Sequence, residues 1–350
     1  MKSQTCRYLA LSLLSGVLET SVVITGFSQF DLTTGLAFAL AYQVGCLIRN
    51  PLNLSLRGAA YLQGMALMLL PFMLHNLLVL LLLVACISGG IQSARDWLTP
   101  KKPPVPVSLK RLVRVTGFIT GIMCSAVFGF ATLVSVSLIS CLVIWTAVPA
   151  SAIRTRWIQI NRRWRPDGYG WVMLVHQIHY FAYAYVLIAH LLNPSLDATT
   201  VMTLCNATAI SVWFALGWLS YISGETVLKR IFRLSARAAV ILGHVWVVIC
   251  LFLMATYVRN PNLLGIAWVL GGFGGGSVYA IKELAEERKC KADIELWEHY
   301  GHNIGVILAF SSISLFPTIV EMPFMVAVGA ATGTILLLVV YESKSRSDES

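Results

Sequence analysis

The sequence predicts an all-α membrane protein of about twelve transmembrane helices arranged as two six-helix bundles. Three observations predict it: uncharged stretches of bilayer length, basic clusters that recur after every second stretch, and a basic segment that halves the chain. Of the 350 residues, 57% are hydrophobic and only 12% are charged, whereas a soluble domain carries about 25% charged residues. Too little polar surface remains to face water all round. Residues 58–94 and 115–153 hold no Lys, Arg, Asp or Glu. A membrane helix needs about 20 mostly apolar residues, so each stretch is long enough for two crossings.

Taken in order, the spans are drawn at 6–28, 32–49, 56–74, 76–95, 113–131, 133–151, 170–192, 200–221, 236–257, 261–281, 300–317 and 322–341. Helices are required, because backbone in lipid must satisfy its own hydrogen bonds. Alternating ten-residue strands, which a barrel needs, are absent from the sequence. Turn residues separate the paired spans: Phe27-Ser28-Gln29, His75-Asn76, Asn193-Pro194-Ser195, Asn260-Pro261-Asn262, and Pro317 with Pro323. The first apolar run has no small-residue cleavage site and is followed by further spans, so it reads as a retained helix.

The net charge of +10 could suggest a nucleic-acid binder, but its placement points to a lipid bilayer and away from nucleic acid. The positives group at Lys2 and Arg7; Arg49 and Arg57; Arg95 to Arg114; Arg154 to Arg165; Lys229 to Arg237; Lys282 to Lys291; and Lys344 and Arg346. Only Arg259 lies outside these groups, and two helices fit between each pair of them. Basic loops stay in the cytoplasm, which places both termini there, in a plasma membrane or bacterial inner membrane. The domains follow: 1–151, a basic cytoplasmic linker at 152–169, a second bundle at 170–341 and a tail at 342–350. In the linker, Arg154, Arg156, Trp157, Ile160, Arg162, Arg163, Trp164 and Arg165 alternate charge with apolar bulk, as in a helix lying on the inner membrane surface. The eight cysteines are scattered, with no CxxC, and read as small core residues.

The halves look related. Gly89-Gly90-Ile91-Gln92-Ser93-Ala94 closes the fourth span and Gly275-Gly276-Ser277-Val278-Tyr279-Ala280 closes the tenth, while Gly45 and Gly217 hold similar places in the second and eighth. Internal repeats are the signature of secondary transporters, with the substrate site where the halves meet. At this point the chain resembles the major facilitator superfamily. The resemblance rests on the six-plus-six layout, on Gly271-Gly272-Phe273-Gly274-Gly275-Gly276 running into Glu283, Glu286 and Glu287, and on Leu18-Glu19-Thr20-Ser21-Val22-Val23. The last is similar to the Leu-Asp-x-Thr-x-Val element of the family's drug–proton antiporters. Where the family's loop after span two reads Gly-x-x-x-Asp-Arg-x-Gly-Arg, this chain reads Gly45-Cys46-Leu47-Ile48-Arg49-Asn50-Pro51-Leu52-Asn53, with Arg49 in the Asp position. The resemblance implies a monomeric, non-enzymatic transporter without a bound cofactor, taking a small-molecule substrate and protons. Glycines 271–276 lack the following Lys-Ser or Lys-Thr of a nucleotide loop and suit close helix packing.

Glu19 is the residue most suggestive of chemistry. It lies in the first span with about a dozen uncharged residues on either side, where a carboxyl costs about 2.5–3.5 kcal/mol on insertion scales. Low dielectric favours its neutral form, so Glu19 reads as a proton-coupling group, or else as a hydrogen-bonded acid with a packing role. In the seventh span His176, His179, Tyr180, Tyr183 and His190 recur at three- and four-residue steps and share one face, with Gln177 beside them. That stripe lines a substrate cavity, packs between helices, or ligates a metal or haem with His244 and His302. His-x-x-His by itself is a weak metal signal, and no metal is assigned. Thr20, Tyr42, Gln43, Asn206, His302 and Asn303 are further cavity candidates. No basic residue is expected deep in a span, which speaks against polyanionic cargo. The reading is thus gradient-driven, proton-coupled export of a small organic compound by alternating access. The rivals are a membrane-embedded oxidoreductase built on the span histidines and a non-transporting receptor.

Overall fold

A computed structural model describes residues 2–52, 54–73, 76–99, 105–148, 166, 168–192, 204–287 and 294–347. Among them every regular element is helical. Most of the basic linker predicted at 152–169 lies outside the described residues. Fourteen α-helices account for the twelve predicted spans: α1 (Lys2–Gln29), α2 (Leu32–Leu52), α3 (Leu56–Leu69), α4 (Leu77–Trp97), α5 (Val107–Phe128), α6 (Ala131–Trp145), α7 (Gly168–Phe181), α8 (Ala184–Leu192), α9 (Leu204–Thr226), α10 (Ala236–Thr256), α11 (Pro261–Gly275), α12 (Val278–Glu287), α13 (Ile294–Leu315) and α14 (Met322–Ser347). Two spans are each made of two helices. The seventh breaks between α7 and α8 at Ala182 and Tyr183, and the tenth breaks between α11 and α12 at Gly276 and Ser277.

Short polar residues start the helices. Asp31 Oδ1 accepts from Thr34 N at 2.6 Å, Asn76 Oδ1 from Leu78 N at 2.8 Å, and Asn260 Oδ1 from Leu263 N at 3.2 Å, with Pro261 in the first turn. Ser55 and Ser235 cap α3 and α10 in the same way. Each cap satisfies an N–H that the helix start would leave bare. Gly129, at φ 51°, ends α5 in a backbone conformation that L side chains avoid.

Among the described residues eight helices are long and apolar enough to cross a membrane, and two shorter apolar ones cover Leu32–Leu47 and Ala131–Trp145. Their outward faces carry Leu78, Leu142, Leu219, Phe252 and Leu336, all exposed. Water would not tolerate so much bare apolar surface; lipid does. The chain is a multi-pass membrane protein.

The chain divides into two compact units, Met1–Arg162 with Thr199–Ser211, and Arg163–Ala198 with Val212–Ser350. In the first, α1 packs along α5 and α2 along α4. A Cβ on Gly16 would stand 2.7 Å from the Arg114 carbonyl oxygen, and one on Gly89 would stand 2.9 Å from that of Gly45. In the second, α7 packs along α13, where a Cβ on Gly301 would meet the Leu174 carbonyl at 2.5 Å. Span eight meets span ten through Gly217 and Gly272, at 2.7 Å by the same measure. Spans one and five therefore pair as seven and eleven do, and two and four as eight and ten do, each through glycine. The glycines of 271–276 are packing residues. Their partner Gly217 corresponds to Gly45 as expected, but the pairing runs through Gly272, one turn from the glycine pair predicted at 275–276.

Several boundaries move. α5 begins at Val107, so Lys110 and Arg111, predicted to lie in a loop, sit in its first turns together with Arg114. α12 runs on to Glu287 and α14 to Ser347. These charged helix ends are tied within the second unit by ion pairs: Lys282 to Glu298 at 2.8 Å, Arg237 to Glu342 at 2.9 Å, and Lys229 to Glu283.

Candidate functional site

In the first unit four helices converge on Glu19. α1 and α5 run parallel, with Thr20 Oγ1 donating to the Phe118 carbonyl at 3.0 Å and Ser21 Oγ to that of Gly121 at 3.3 Å. Gly16, Gly117 and Gly121 let the backbones approach closely enough for this. The same approach brings Arg114 within reach of Glu19, and its Nη2 donates to Glu19 Oε2 at 3.1 Å. Tyr42, from α2, donates its hydroxyl to the same oxygen at 3.2 Å. Having spent its proton there, Tyr42 Oη accepts from Ser15 Oγ at 3.1 Å, and Gln92 Nε2 from α4 lies 3.5 Å from Ser15 Oγ. A buried polar chain thus runs Gln92, Ser15, Tyr42, Glu19, Arg114. The Arg114 guanidinium also lies over the Phe118 ring, 5.5 Å from its centroid.

This corrects two expectations. Glu19 is not a solitary acid in lipid, and a deep arginine is present. Arg114 borders the uncharged run and was grouped with its loop neighbours; a helix starting at Val107 carries it about 10 Å along the axis at 1.5 Å per residue. Its long side chain covers the remaining distance. Of the other candidates here, Thr20 is engaged in the α1–α5 seam and Gln43 is buried in α2. Asn206 is half-buried in the first turns of α9.

In the second unit the polar stripe of the seventh span is not continuous. The break at Ala182 and Tyr183 divides it. Tyr180 and Tyr183 face Trp268, with ring centroids 5.8 and 6.1 Å away, while Tyr183 and His190 meet Phe324. His176 and His179 instead turn toward α10 and meet His244 there. His176 Nδ1 lies 2.8 Å from His244 Nε2, and the three rings touch edge to face with centroids 4.8–5.4 Å apart. All three are buried, at 0–1% exposure. His244 Nδ1 lies 2.7 Å from the Val240 carbonyl oxygen, which can only accept, so Nδ1 carries the proton. Ser277 Oγ, at the break of the tenth span, is 3.3 Å from the same nitrogen. His179 Nδ1 is buried without a hydrogen-bond partner, at a cost of about 1–3 kcal/mol.

Gln177 and His302 form a separate pair, His302 Nε2 to Gln177 Oε1 at 3.1 Å, with His302 against the Phe181 ring. Asn303 donates back to the His299 carbonyl at 2.9 Å. Sequence spacing placed His176 and His179 together and named His244 and His302 as possible fellow ligands; the structure brings His244 to them and pairs His302 with Gln177. Ser277 was missed, because no periodicity links it to His244.

No protein-family model matches this sequence, and no curated protein matches it by sequence. Solved structures do match by fold. A bacterial homologue of the iron transporter ferroportin, in the inward-facing state, superposes with a TM-score of 0.65 at 12% identity, over 98% of this chain and 99% of that one. The nucleoside transporter NupG gives 0.63 at 13%, over 98% and 99%. The E. coli fucose:proton symporter FucP gives 0.54 at 13%, over 96% and 98%. The chain therefore shares the helical fold of these solved structures over 96–98% of its length.

Proposed function

We propose that this chain is a gradient-driven secondary transporter that exports a small organic compound in exchange for protons, acting as a monomer in a plasma membrane or bacterial inner membrane with both termini in the cytoplasm. The observation that carries the reading is the Glu19 network inside a fold shared with transporters of iron, nucleosides and fucose. A carboxylate, a guanidinium and a phenol joined in one buried cluster form a two-state device. Protonating Glu19 removes the charge that holds Arg114 and lets the Tyr42 hydroxyl turn back to the Ser15 carbonyl oxygen, 3.4 Å away. Losing that proton restores the pair. Coupling that change to alternating access is the job a proton antiporter needs done. The aromatic cluster of Tyr180, Tyr183, Trp268 and Phe324 offers stacking surface for an amphipathic substrate, with Gln177 one turn before Tyr180 and hydrogen-bonded to His302.

The haem form of the oxidoreductase reading is disfavoured by packing. A haem held by two histidines needs a macrocycle-sized slot between them, and His176, His179 and His244 are in mutual edge contact. The transport reading is tested in proteoliposomes with Glu19→Gln. The expected result is facilitated flux that no longer responds to an imposed pH gradient. Undiminished coupling would remove Glu19 from the mechanism.

A further inference from the structure

We propose that His176, His179 and His244 form a binding site for one divalent transition-metal ion, inside the second unit and apart from the Glu19 network. The nitrogens they offer lie within 4.8 Å of one another. Three imidazoles bound to one tetrahedral ion at 2.0–2.1 Å would stand about 3.4 Å apart, so side-chain rotations of about 1 Å close the set. α7 supplies two ligands one turn apart, and α10 supplies the third from across the interface.

Two details go beyond proximity. The first is His179. Its ring is buried edge to face against the other two, and its Nδ1 makes no hydrogen bond of good geometry; an ion supplies a partner for this imidazole. The second is the support behind His244. Ligating histidines almost always donate their remote N–H to a carbonyl or carboxylate, which fixes the ring and raises its donor strength. His244 Nδ1 does this with Val240 O at 2.7 Å, leaving Nε2 as a free lone pair directed at His176. Without metal, that lone pair accepts the His176 Nδ1 proton. With metal, His176 passes to its Nε2–H tautomer and both nitrogens turn their lone pairs on the ion; no net proton is gained or lost. A water completes four-coordination.

Donor type sets the selectivity. Imidazoles with no carboxylate in the group suit Zn²⁺, Co²⁺, Ni²⁺ or Cu²⁺ and reject Mg²⁺ and Ca²⁺, which demand oxygen ligands. The bound ion pins the first half of the seventh span to the ninth, on the cluster's side of the break at Ala182 and Tyr183.

The test uses the full chain in detergent, purified with a tag free of histidine and stripped with chelator. Titration with Co²⁺ is expected to give the visible bands of a four-coordinate ion at one per chain, displaced by Zn²⁺ and untouched by Mg²⁺. His179→Gln and His244→Gln should each weaken binding by at least about tenfold, while His302→Gln, outside the group, should leave it unchanged. Absence of the bands, or wild-type affinity in both ligand variants, would overturn the site. X-ray absorption on the Zn²⁺-loaded wild-type chain needs no variant to fold. Three imidazoles at about 2.0–2.1 Å uphold the proposal; a shell with fewer than three refutes it. Neither readout involves transport, so failure here is distinguishable from failure of the antiport reading.

Discussion

Replacing Arg114 with Gln removes the cation but leaves the buried Glu19 carboxylate behind. Exposed ion pairs contribute about 0–1 kcal/mol, whereas removing one partner of a fully buried pair costs about 3–5 kcal/mol. This pair lies between the limits: the Arg114 side chain is 35% exposed and that of Glu19 only 9%. The group left stranded is the buried one, which also accepts from the Tyr42 phenol at 3.2 Å. We therefore expect Arg114→Gln to cost about 2–3 kcal/mol, toward the buried limit. Glu19→Gln should cost less, about 1–2 kcal/mol, because the exposed side of Arg114 lets its guanidinium find other partners. In the double variant neither charge remains, so the losses should fall short of additivity by about 1–2 kcal/mol. Reversible unfolding in mixed micelles, read by tryptophan fluorescence across the four proteins of the cycle, measures this directly. Losses that add to within about 0.5 kcal/mol would show that the two side chains are not coupled, and the polar chain from Gln92 to Arg114 would lose its central link.

Two other perturbations follow from packing and capping. Gly272→Ala puts a methyl 2.7 Å from the Gly217 carbonyl oxygen and onto Ser220 Oγ. Overpacking of about 1–3 kcal/mol should outweigh the roughly 1 kcal/mol gained in helix propensity and lower the melting temperature. Gly329→Ala, with nothing within 4 Å of the new methyl, should raise it by the propensity gain alone. Asp31 sits at the turn before α2, and the Thr34 N–H holds its carboxyl below the usual carboxylate range. A depressed folded pKa stabilises above the unfolded value and is lost as pH falls through the folded one. Unfolding followed from pH 6 to pH 3 should therefore show a small acid-side loss in wild type that is absent in Asp31→Asn, which keeps the cap without the charge.

The division between what was legible in the chain and what was not follows the range of each interaction. Span number, the helix starts at Asn76 and Asn260, and the membrane setting are local properties: twenty uncharged residues and a capping side chain act on their own stretch of backbone. The likeness of Gly45 to Gly217 was visible as two glycines at matching places, but their contacts with Gly89 and Gly272 were not. Arg114 is grouped with the loop positives because the span is drawn from 113, whereas the helix begins at Val107, just beyond Pro106. The histidine group shows the limit more plainly. Three-residue spacing put His176 and His179 on one face of α7, and that is all a helical period can do. That His244 rather than solvent, substrate or His302 faces them depends on how α7 lies on α10, and that the stripe stops at Tyr183 depends on a break no residue type announces. By itself the sequence determined a twelve-span, lipid-embedded helical chain, because hydrophobicity and charge sort residues by environment one segment at a time. Only the tertiary structure decided which buried polar groups are partners, because a hydrogen bond or an ion pair is made at about 3 Å, and that distance is set by the packing of whole helices.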